Sequence, residues 1–433
     1  MRRIAAACLV GSAIEFYDFL IYGTAAALVF PTVFYPHLSP GLATFASMGT
    51  FASAFLSRPI GGATFGYFGD RLGRKRVLIV TLLMMAVATV SVGLVPSTAT
   101  IGVAAPLILI ALRLVQGFAA GGEWAGSVLL SAEYSPVEKR GYYGMFTLLG
   151  GGVAGVLTSL TFLGVNVSIG ATSPAFLQWG WRIPFLISSA LIGIALYVRL
   201  RIDETPVFVE EEARHLVPKA PIAELLRLQR REIVLSGGSI LGGLGFAYMG
   251  NTYLPLYAHE HLGYSRGFIW TVGALAGLAS ITVVALSGIV SDRVGRRRTM
   301  LPGWAGCVLW AAAVMPLIDT GKPVCYAVAV IGMFAIGGIG SGPTGALIPE
   351  LFATRYRYSG SALAINLAGV LAGALPPLVA GTLQATFGSW AIGPMLAVLA
   401  VASLVCTYLL PETKGTSLES VHDAGAAEVP TRG

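Results

Sequence analysis

The feature that most restricts this chain is a recurrence. Windows of roughly 20 apolar residues, the length an α-helix needs to cross a bilayer core, follow one another along it, cut by charged or Pro/Gly-rich turns. Twelve are predicted, at approximately 7 to 31, 42 to 68, 76 to 96, 101 to 131, 142 to 167, 179 to 200, 233 to 258, 267 to 290, 299 to 318, 323 to 347, 358 to 384 and 388 to 410. Composition agrees: 11% of the 433 residues are charged, 55% are apolar, and mean hydropathy is +0.76. A soluble domain carries roughly 25% charged residues. The 55 glycines read as closely packed helices rather than as loops. The expected fold class is all-α integral membrane, with twelve transmembrane helices in contact with the lipid bilayer. The first window runs past twenty residues with Glu15 and Asp18 inside it, unlike a cleavable signal peptide, and is expected to stay in the mature protein.

A net charge of +7 raises the question of nucleic acid, and the placement of the 28 basic residues answers it. They sit in short clusters between apolar stretches, with no aromatic interleave, so no nucleic-acid partner is expected. Assigning loops alternately to two sides leaves only Arg182, Arg266 and Lys322 opposite the N-terminus, with Arg58 and Arg113 inside spans. Lys and Arg stay on the cytoplasmic side, so both termini are expected there. The alternation also supports an even span count. Cys8, Cys307, Cys325 and Cys406 show no metal-binding spacing and read as small core residues. His259, Glu260 and His261 at the outer surface are not read as a metal site, and no metal is expected.

The chain repeats itself. Gly66-Tyr-Phe-Gly-Asp70-Arg71-Leu-Gly73-Arg74-Lys75-Arg76 after span two is echoed by Gly288-Ile-Val-Ser-Asp292-Arg293-Val-Gly295-Arg296-Arg297-Arg298 after span eight, 222 residues on. Glu133 and Arg140 after span four return as Glu350 and Arg357 after span ten, and Glu204-Thr205 returns as Glu412-Thr413. Three matched pairs in one order describe a duplicated six-helix unit, the way many transporters build a site between halves. The expected domains are an N-terminal half at 1–200, a cytoplasmic linker at 201–232 with a short amphipathic helix at Ile222 to Leu228, a C-terminal half at 233–411, and a short tail at 412–433.

These motifs, with RxxQGxxxGG at Arg113 to Gly122 and PETKG at Pro411 to Gly415, resemble the major facilitator superfamily over nearly the whole chain. Within it, Gly11-Ser-Ala-Ile-Glu15-Phe16-Tyr17-Asp18-Phe19-Leu-Ile-Tyr22-Gly23, Ser57-Arg58-Pro59-Ile-Gly61 and Gly121-Gly122-Glu123-Trp124 resemble the metabolite:proton symporters, which carry shikimate, 2-oxoglutarate and other carboxylates, or proline and betaine. Phe16 departs from that pattern, which usually has Trp. The resemblance implies a monomeric secondary transporter in a bacterial cytoplasmic membrane. It would take up a small anionic metabolite by alternating access, with protons as coupling ion and no other cofactor. It also implies a central cavity lined by spans one, four, seven and ten.

Ionisable groups at bilayer depth are costly and mark function. At about 1.5 Å of rise per residue, Glu15, Arg58 and Glu123 come out roughly 15 to 18 Å from the cytoplasmic ends, with Asp18 slightly deeper. Glu15, Asp18 and Tyr22 share a face of span one. With Arg113 these groups make three acids against two bases, so one carboxyl lacks a full partner when all are ionised. Glu15, Asp18 and Glu123 are the candidates for proton coupling, against the plain alternative of a static ion-pair network. Arg58 and Arg113 are the candidates to attract a substrate carboxylate. Tyr17, Tyr22, Gln116, Trp124, Tyr248, Asn251 and Asn366 are candidate substrate contacts, with interhelical hydrogen bonding the alternative for those in the second half.

The charged turns are candidate gates. The resemblance implies that Gly66, Asp70, Arg71, Gly73, Arg74, Glu133 and Arg140, with Gly288, Asp292, Arg293, Gly295, Arg296, Glu350 and Arg357, latch the cytoplasmic side in the outward-facing state. No nucleophile/base pair or phosphate loop suggests an enzyme. A drug/proton antiporter is disfavoured because Gly150-Gly151-Gly152-Val-Ala-Gly155 lacks the Pro such exporters carry in span five. A proline/betaine-type osmolyte symporter is the main alternative; the short tail has no heptad pattern of the kind osmosensing relatives carry.

Overall fold

The computed structural model describes residues 1–72, 74–170, 173–200, 221–353, 356–416 and 418, the side chains of Arg2, 70–72, Arg74, 198–199 and 221–223 excepted. Of the expectations above, linker residues 201–220, Gly73, the side chains of Asp70, Arg71 and Arg74, and tail residues 419–433 lie outside that description. No strand is present among the described residues.

The spans are α1 (Arg2–Leu28), α2 (Pro40–Leu72), α3 (Arg74–Leu94), α4 (Ala104–Tyr134), α5 (Arg140–Ile169), α6 (Ile183–Leu200), α7 (Arg230–Gly238 with Leu241–Glu260), α8 (Arg266–Val294), α9 (Arg296–Ile318), α10 (Pro323–Leu351), α11 (Arg357–Phe387) and α12 (Ile392–Leu409). Ten form helices long and apolar enough to cross a membrane, and α7 makes an eleventh across its bend. The twelfth, α2, is 33 residues long but dilutes its Phe and Leu with Gly, Ala, Ser, Thr and the charge of Arg58. Each lies within a few residues of its predicted window. A short helix at Pro221–Leu228 matches the amphipathic segment expected before α7.

The bend in α7 has a local cause. The two parts meet at 40° after the weak helix formers Gly237, Gly238 and Ser239. Ser403 of α12 stands in the break: its hydroxyl accepts from the Gly242 N–H at 2.7 Å and donates to the Gly238 carbonyl at 3.0 Å. One side chain thus replaces the missing helical hydrogen bond, leaving neither group unsatisfied in the bilayer. Two π-helical segments, Met249–Tyr253 in α7 and Gly369–Ala374 in α11, widen the helices beside the centre of the protein.

Glycine explains how the helices come close enough to pack in lipid. On α4, a Cβ at Gly117 would coincide with the Ala54 carbonyl of α2, and one at Gly121 with that of Arg58. The backbones of α2 and α4 therefore touch, as small residues four apart allow. Replacing Gly117 by Val is expected to cost about 3 kcal/mol or more through overpacking. The check is a lower yield and melting temperature of the detergent-solubilised protein; a normal melting temperature would contradict the close approach.

Between the halves, α5 lies along α8 and α2 along α11. Gly152 and Gly277 meet face to face, as do Gly141 and Gly288. The turns that carry Arg140, Asp292, Glu350 and Arg357 lie on the face that also carries the start of α1 and the described end of the chain; we call it the basic face.

Candidate functional site

The two halves enclose a cavity of about 150 Å³. Its wall takes Glu15, Phe16 and Leu20 from α1, Arg58 from α2, Ala120 and Trp124 from α4 and Gly151 and Gly152 from α5. The second half adds Phe246, Tyr248 and Asn251 from α7, Ser280 from α8, Met333 and Phe334 from α10 and Ile365, Asn366 and Gly369 from α11. The four expected helices line it, and α2, α5, α8 and α11 join them.

Arg58 is the cation of this wall. It is only 7% exposed, and its guanidinium lies 4.0 Å from the Phe19 ring centre and 4.8 Å from that of Phe55. Among the described residues it makes no ion pair, and its Nε has no hydrogen-bond partner. The Tyr248 hydroxyl, also buried without a partner of standard geometry, interacts with it electrostatically. Two aromatic faces soften the desolvation of a buried cation while leaving its Nε donor unused.

Arg113 has a different setting. It is fully buried, donates to Gln116 Oε1 at 2.8 Å, and lies over the rings of Tyr22 (4.1 Å) and Phe19 (4.6 Å). Gln116 passes the chain on to the Thr89 hydroxyl at 2.7 Å, and Thr89 donates to Asp18 Oδ2 at 2.8 Å. Ser188 of α6 donates to Asp18 Oδ1. Asp18 therefore sits 1% exposed at the end of a continuous polar chain inside the N-terminal half. Glu123, wholly buried on α4, is near enough for its charge to act on Asp18.

Of the candidate residues, Glu15, Arg58, Trp124, Tyr248, Asn251 and Asn366 thus come together at the cavity, whereas Asp18, Glu123, Arg113 and Gln116 lie behind its wall. Tyr17 and Tyr22 also face away: Tyr17 donates to the Pro184 carbonyl at 3.1 Å, and Tyr22 to Thr50 at 2.7 Å. The shared face read for Glu15, Asp18 and Tyr22 splits, because the steps between them leave angles wide enough for different neighbours. Asn251 donates to the Ala247 carbonyl at 2.8 Å within its own helix. Asn366 donates across the halves to the Gly121 carbonyl at 2.6 Å and to Ala362 at 2.7 Å, the interhelical role weighed for it. Thr89 and Ser188, the direct partners of Asp18, carried no sequence signal, since one hydroxyl in an apolar helix resembles any other.

The two halves meet on both sides of the cavity. On the far side Phe51 and Phe55 pack on Tyr248, with ring centres 6.1 and 5.2 Å apart, Trp270 stacks on Phe162 at 5.5 Å, and Arg266 donates to the Leu28 carbonyl ending α1 at 3.0 Å. On the basic face Arg140 pairs with Glu350 at 3.0 Å and Arg357 approaches Glu133 at 3.8 Å, so each arginine of the repeat reaches the acid of the other half. Asp292 accepts the N–H groups of Gly141 and Tyr142, both at 2.8 Å, capping the start of α5 from the opposite half. Arg296 holds Asp292 at 2.7 Å and Glu350 at 3.4 Å. Gly66 lets α2 approach Ser359, Gly288 lies against Met145, and Gly295 takes φ +119° beside Glu412. The Arg293 side chain is exposed; only its carbonyl takes part, accepting from Lys414.

The PETKG segment joins this cluster. Glu412 accepts the Arg296 N–H at 2.7 Å at the start of α9, Thr413 donates to Glu350 at 2.6 Å, and the Thr416 carbonyl accepts from Arg140 at 3.1 Å.

Two six-helix halves around a central cavity, tied on one face by the crosswise pairs Arg140–Glu350 and Arg357–Glu133, match a known family: the sequence profile of the Major Facilitator Superfamily covers residues 10–377. The chain belongs to the major facilitator superfamily. Among its relatives is the "Inner membrane metabolite transport protein YhjE" of Escherichia coli, 39% identical over 96% of each chain. The "Shikimate transporter" of E. coli is 35% identical over 90% of this chain and 89% of its own. The proton:xylose symporter XylE shares the fold with a TM-score of 0.78 at 18% identity, over 98% of both chains. This facilitator is a multi-pass membrane metabolite transporter rather than an enzyme.

Proposed function

We propose that this facilitator takes up a small carboxylate together with protons, with its basic face and both termini cytoplasmic, working as a monomer. The observation that carries the reading is Arg58: a buried cation in the cavity wall, with no ion pair among the described residues, suits an anionic ligand at a depth where a charge is costly to bury. A carboxylate matches its fork bidentately, and Tyr248 can add a third donor. Trp124 and Phe16 provide apolar walls for the rest of the molecule. The cavity volume, below the roughly 300 to 1,000 Å³ of drug-sized pockets, favours a compact metabolite. Asp18 is the proposed proton carrier. Its links through Thr89 and Gln116 to Arg113 give the N-terminal half a means of registering its charge without contact with the substrate. Glu15, in the wall itself, sets the charge opposite Arg58, and Glu123 supports Asp18.

Arg58→Gln is expected to raise KM on the order of 100-fold, the loss of about 3 kcal/mol from a desolvated charge pair. The measurement is uptake of labelled shikimate and of a panel of small carboxylates and betaines into energised vesicles, with and without a protonophore. Uptake of a betaine that is insensitive to Arg58→Gln would overturn the carboxylate reading in favour of a zwitterion.

A further inference from the structure

The charged turns are not the whole of the closure on the basic face. Where α2 and α4 meet α11, a tyrosine that no charge pattern marks enters the opposite half. Tyr358, one residue into α11, is 0% exposed, and its hydroxyl donates to the Gly122 carbonyl of α4 at 2.6 Å. Its seat is made by glycines. A Cβ at Gly69 of α2 would stand 2.9 Å from the ring, and one at Gly126 of α4 would stand 2.9 Å from the hydroxyl oxygen. A side chain at Gly69 would press on the ring, and one at Gly126 on the hydroxyl and on the end of Leu78. Eight residues further along α11, Asn366 gives its amide to the neighbouring carbonyl, Gly121, while also lining the cavity. Gly62 of α2 leaves room for it: a Cβ there would stand 2.5 Å from the Asn366 nitrogen.

We propose that Tyr358 and Asn366 form a second lock on the basic face, in which α11 of one half hydrogen-bonds to consecutive carbonyls, Gly121 and Gly122, of α4 in the other. It rests on the alternating-access reading of the protein, and on neither the substrate nor the coupling ion. Three features separate it from ordinary packing. Both bonds cross between the halves, so they break when the basic face opens. Both side chains reach their acceptors through space left by glycines of α2 and α4, namely Gly62 for Asn366 and Gly69 and Gly126 for Tyr358. The two rungs also run from the basic face to the cavity, so the lock ends at the wall the substrate touches. Asn366 is thereby assigned to closure instead of to substrate binding.

The test reads opening directly by spin-label distance measurement in detergent or nanodiscs, with no substrate and no proton gradient. Labels are placed at Arg76→Cys and Arg230→Cys, both exposed on the basic face and one in each half, after Cys8, Cys307, Cys325 and Cys406 are changed to Ala. Loss of one rung, by Tyr358→Phe or by Asn366→Ala, is expected to raise the ratio of the long-distance to the short-distance population about tenfold, as the net value of one hydrogen bond implies. Gly126→Ala should do the same, its new methyl displacing the hydroxyl while the end of the Leu78 side chain gives way. Combined with Tyr358→Phe, which removes the obstructed atom, it should add little further. That suppression is a signature that a general loss of stability does not produce. Unchanged distances in Tyr358→Phe and Asn366→Ala, or full additivity of Gly126→Ala with Tyr358→Phe, would overturn the proposal. Failure of the carboxylate or proton assignment would leave these distances untouched and would appear only in uptake.

Discussion

Replacing Asp18 by Asn is expected to abolish accumulation driven by a proton gradient while leaving exchange of substrate between the two sides of the membrane intact. The substitution keeps the size of the side chain and removes only its ability to gain and lose a proton. Ser188 can still donate to the remaining oxygen, and the new amide can donate to Thr89, so the local cost is about 1 to 2 kcal/mol for one rearranged hydrogen bond. That leaves a folded protein that can still alternate. Uptake into vesicles with an imposed pH gradient, compared with counterflow in preloaded vesicles, separates the two activities. Gradient-driven accumulation at the unmodified level in Asp18→Asn would shift the proton to Glu15, the carboxylate of the cavity wall. Asp18 is preferred because Glu15 faces the substrate directly, whereas Asp18 is coupled to Arg113 through Gln116 and Thr89 and shielded from the cavity. A proton bound there is registered by the N-terminal half and is not exchanged with the ligand.

Much of this architecture is legible in the sequence. Twelve windows gave twelve helices because a bilayer permits little else: backbone groups must be satisfied within the segment, and length follows from thickness. The repeat marked the members of the ion pairs between the halves, since Arg140, Arg357, Glu133 and Glu350 stand at matched positions. It did not give their crosswise pairing, which depends on how the halves face each other. Depth along a helix is also readable from sequence, and it brought Glu15, Asp18, Arg58 and Glu123 to one level. Direction around the axis is less so. Only the packing shows that Glu15 and Arg58 look into the cavity while Asp18 and Arg113 look into the N-terminal half. Tyr358 and Ser403 were silent for a related reason: each acts on backbone carbonyls or N–H groups of another helix, and backbone acceptors leave no trace in the sequence except the glycines that uncover them. Glu412 and Thr413 were visible as a repeated motif, but their use as a cap on α9 and a brace on Glu350 follows from the fold alone.

Glu350 is where loss of a single side chain should move the conformational equilibrium most. Its Oε1 takes Arg140 and Arg296, its Oε2 takes Thr413, and the side chain is 0% exposed. Glu350→Gln strips the negative charge from beneath two buried cations. Arg296 keeps Asp292 and the Ser291 carbonyl, but Arg140 is left with the Thr416 carbonyl. In a rigid protein, breaking such a buried arrangement costs about 3 to 5 kcal/mol. A transporter has an alternative to unfolding: opening the basic face hydrates both arginines and relieves most of that cost. The energy therefore reappears as a population shift, and about 3 kcal/mol corresponds to a change on the order of 100-fold in the ratio of open to closed. Spin labels at Glu138 and Arg298, exposed on either side of the α5 to α8 seam, should report it as a long-distance population that dominates in Glu350→Gln. Transport turnover should fall at the same time, because each cycle must restore a closed state that has lost its central anion. If the distances stay short and only the melting temperature drops, Glu350 is holding the fold together and not the gate. The crosswise geometry argues for the gate, since Arg140 and Glu350 belong to different halves and have no reason to meet when the basic face is open.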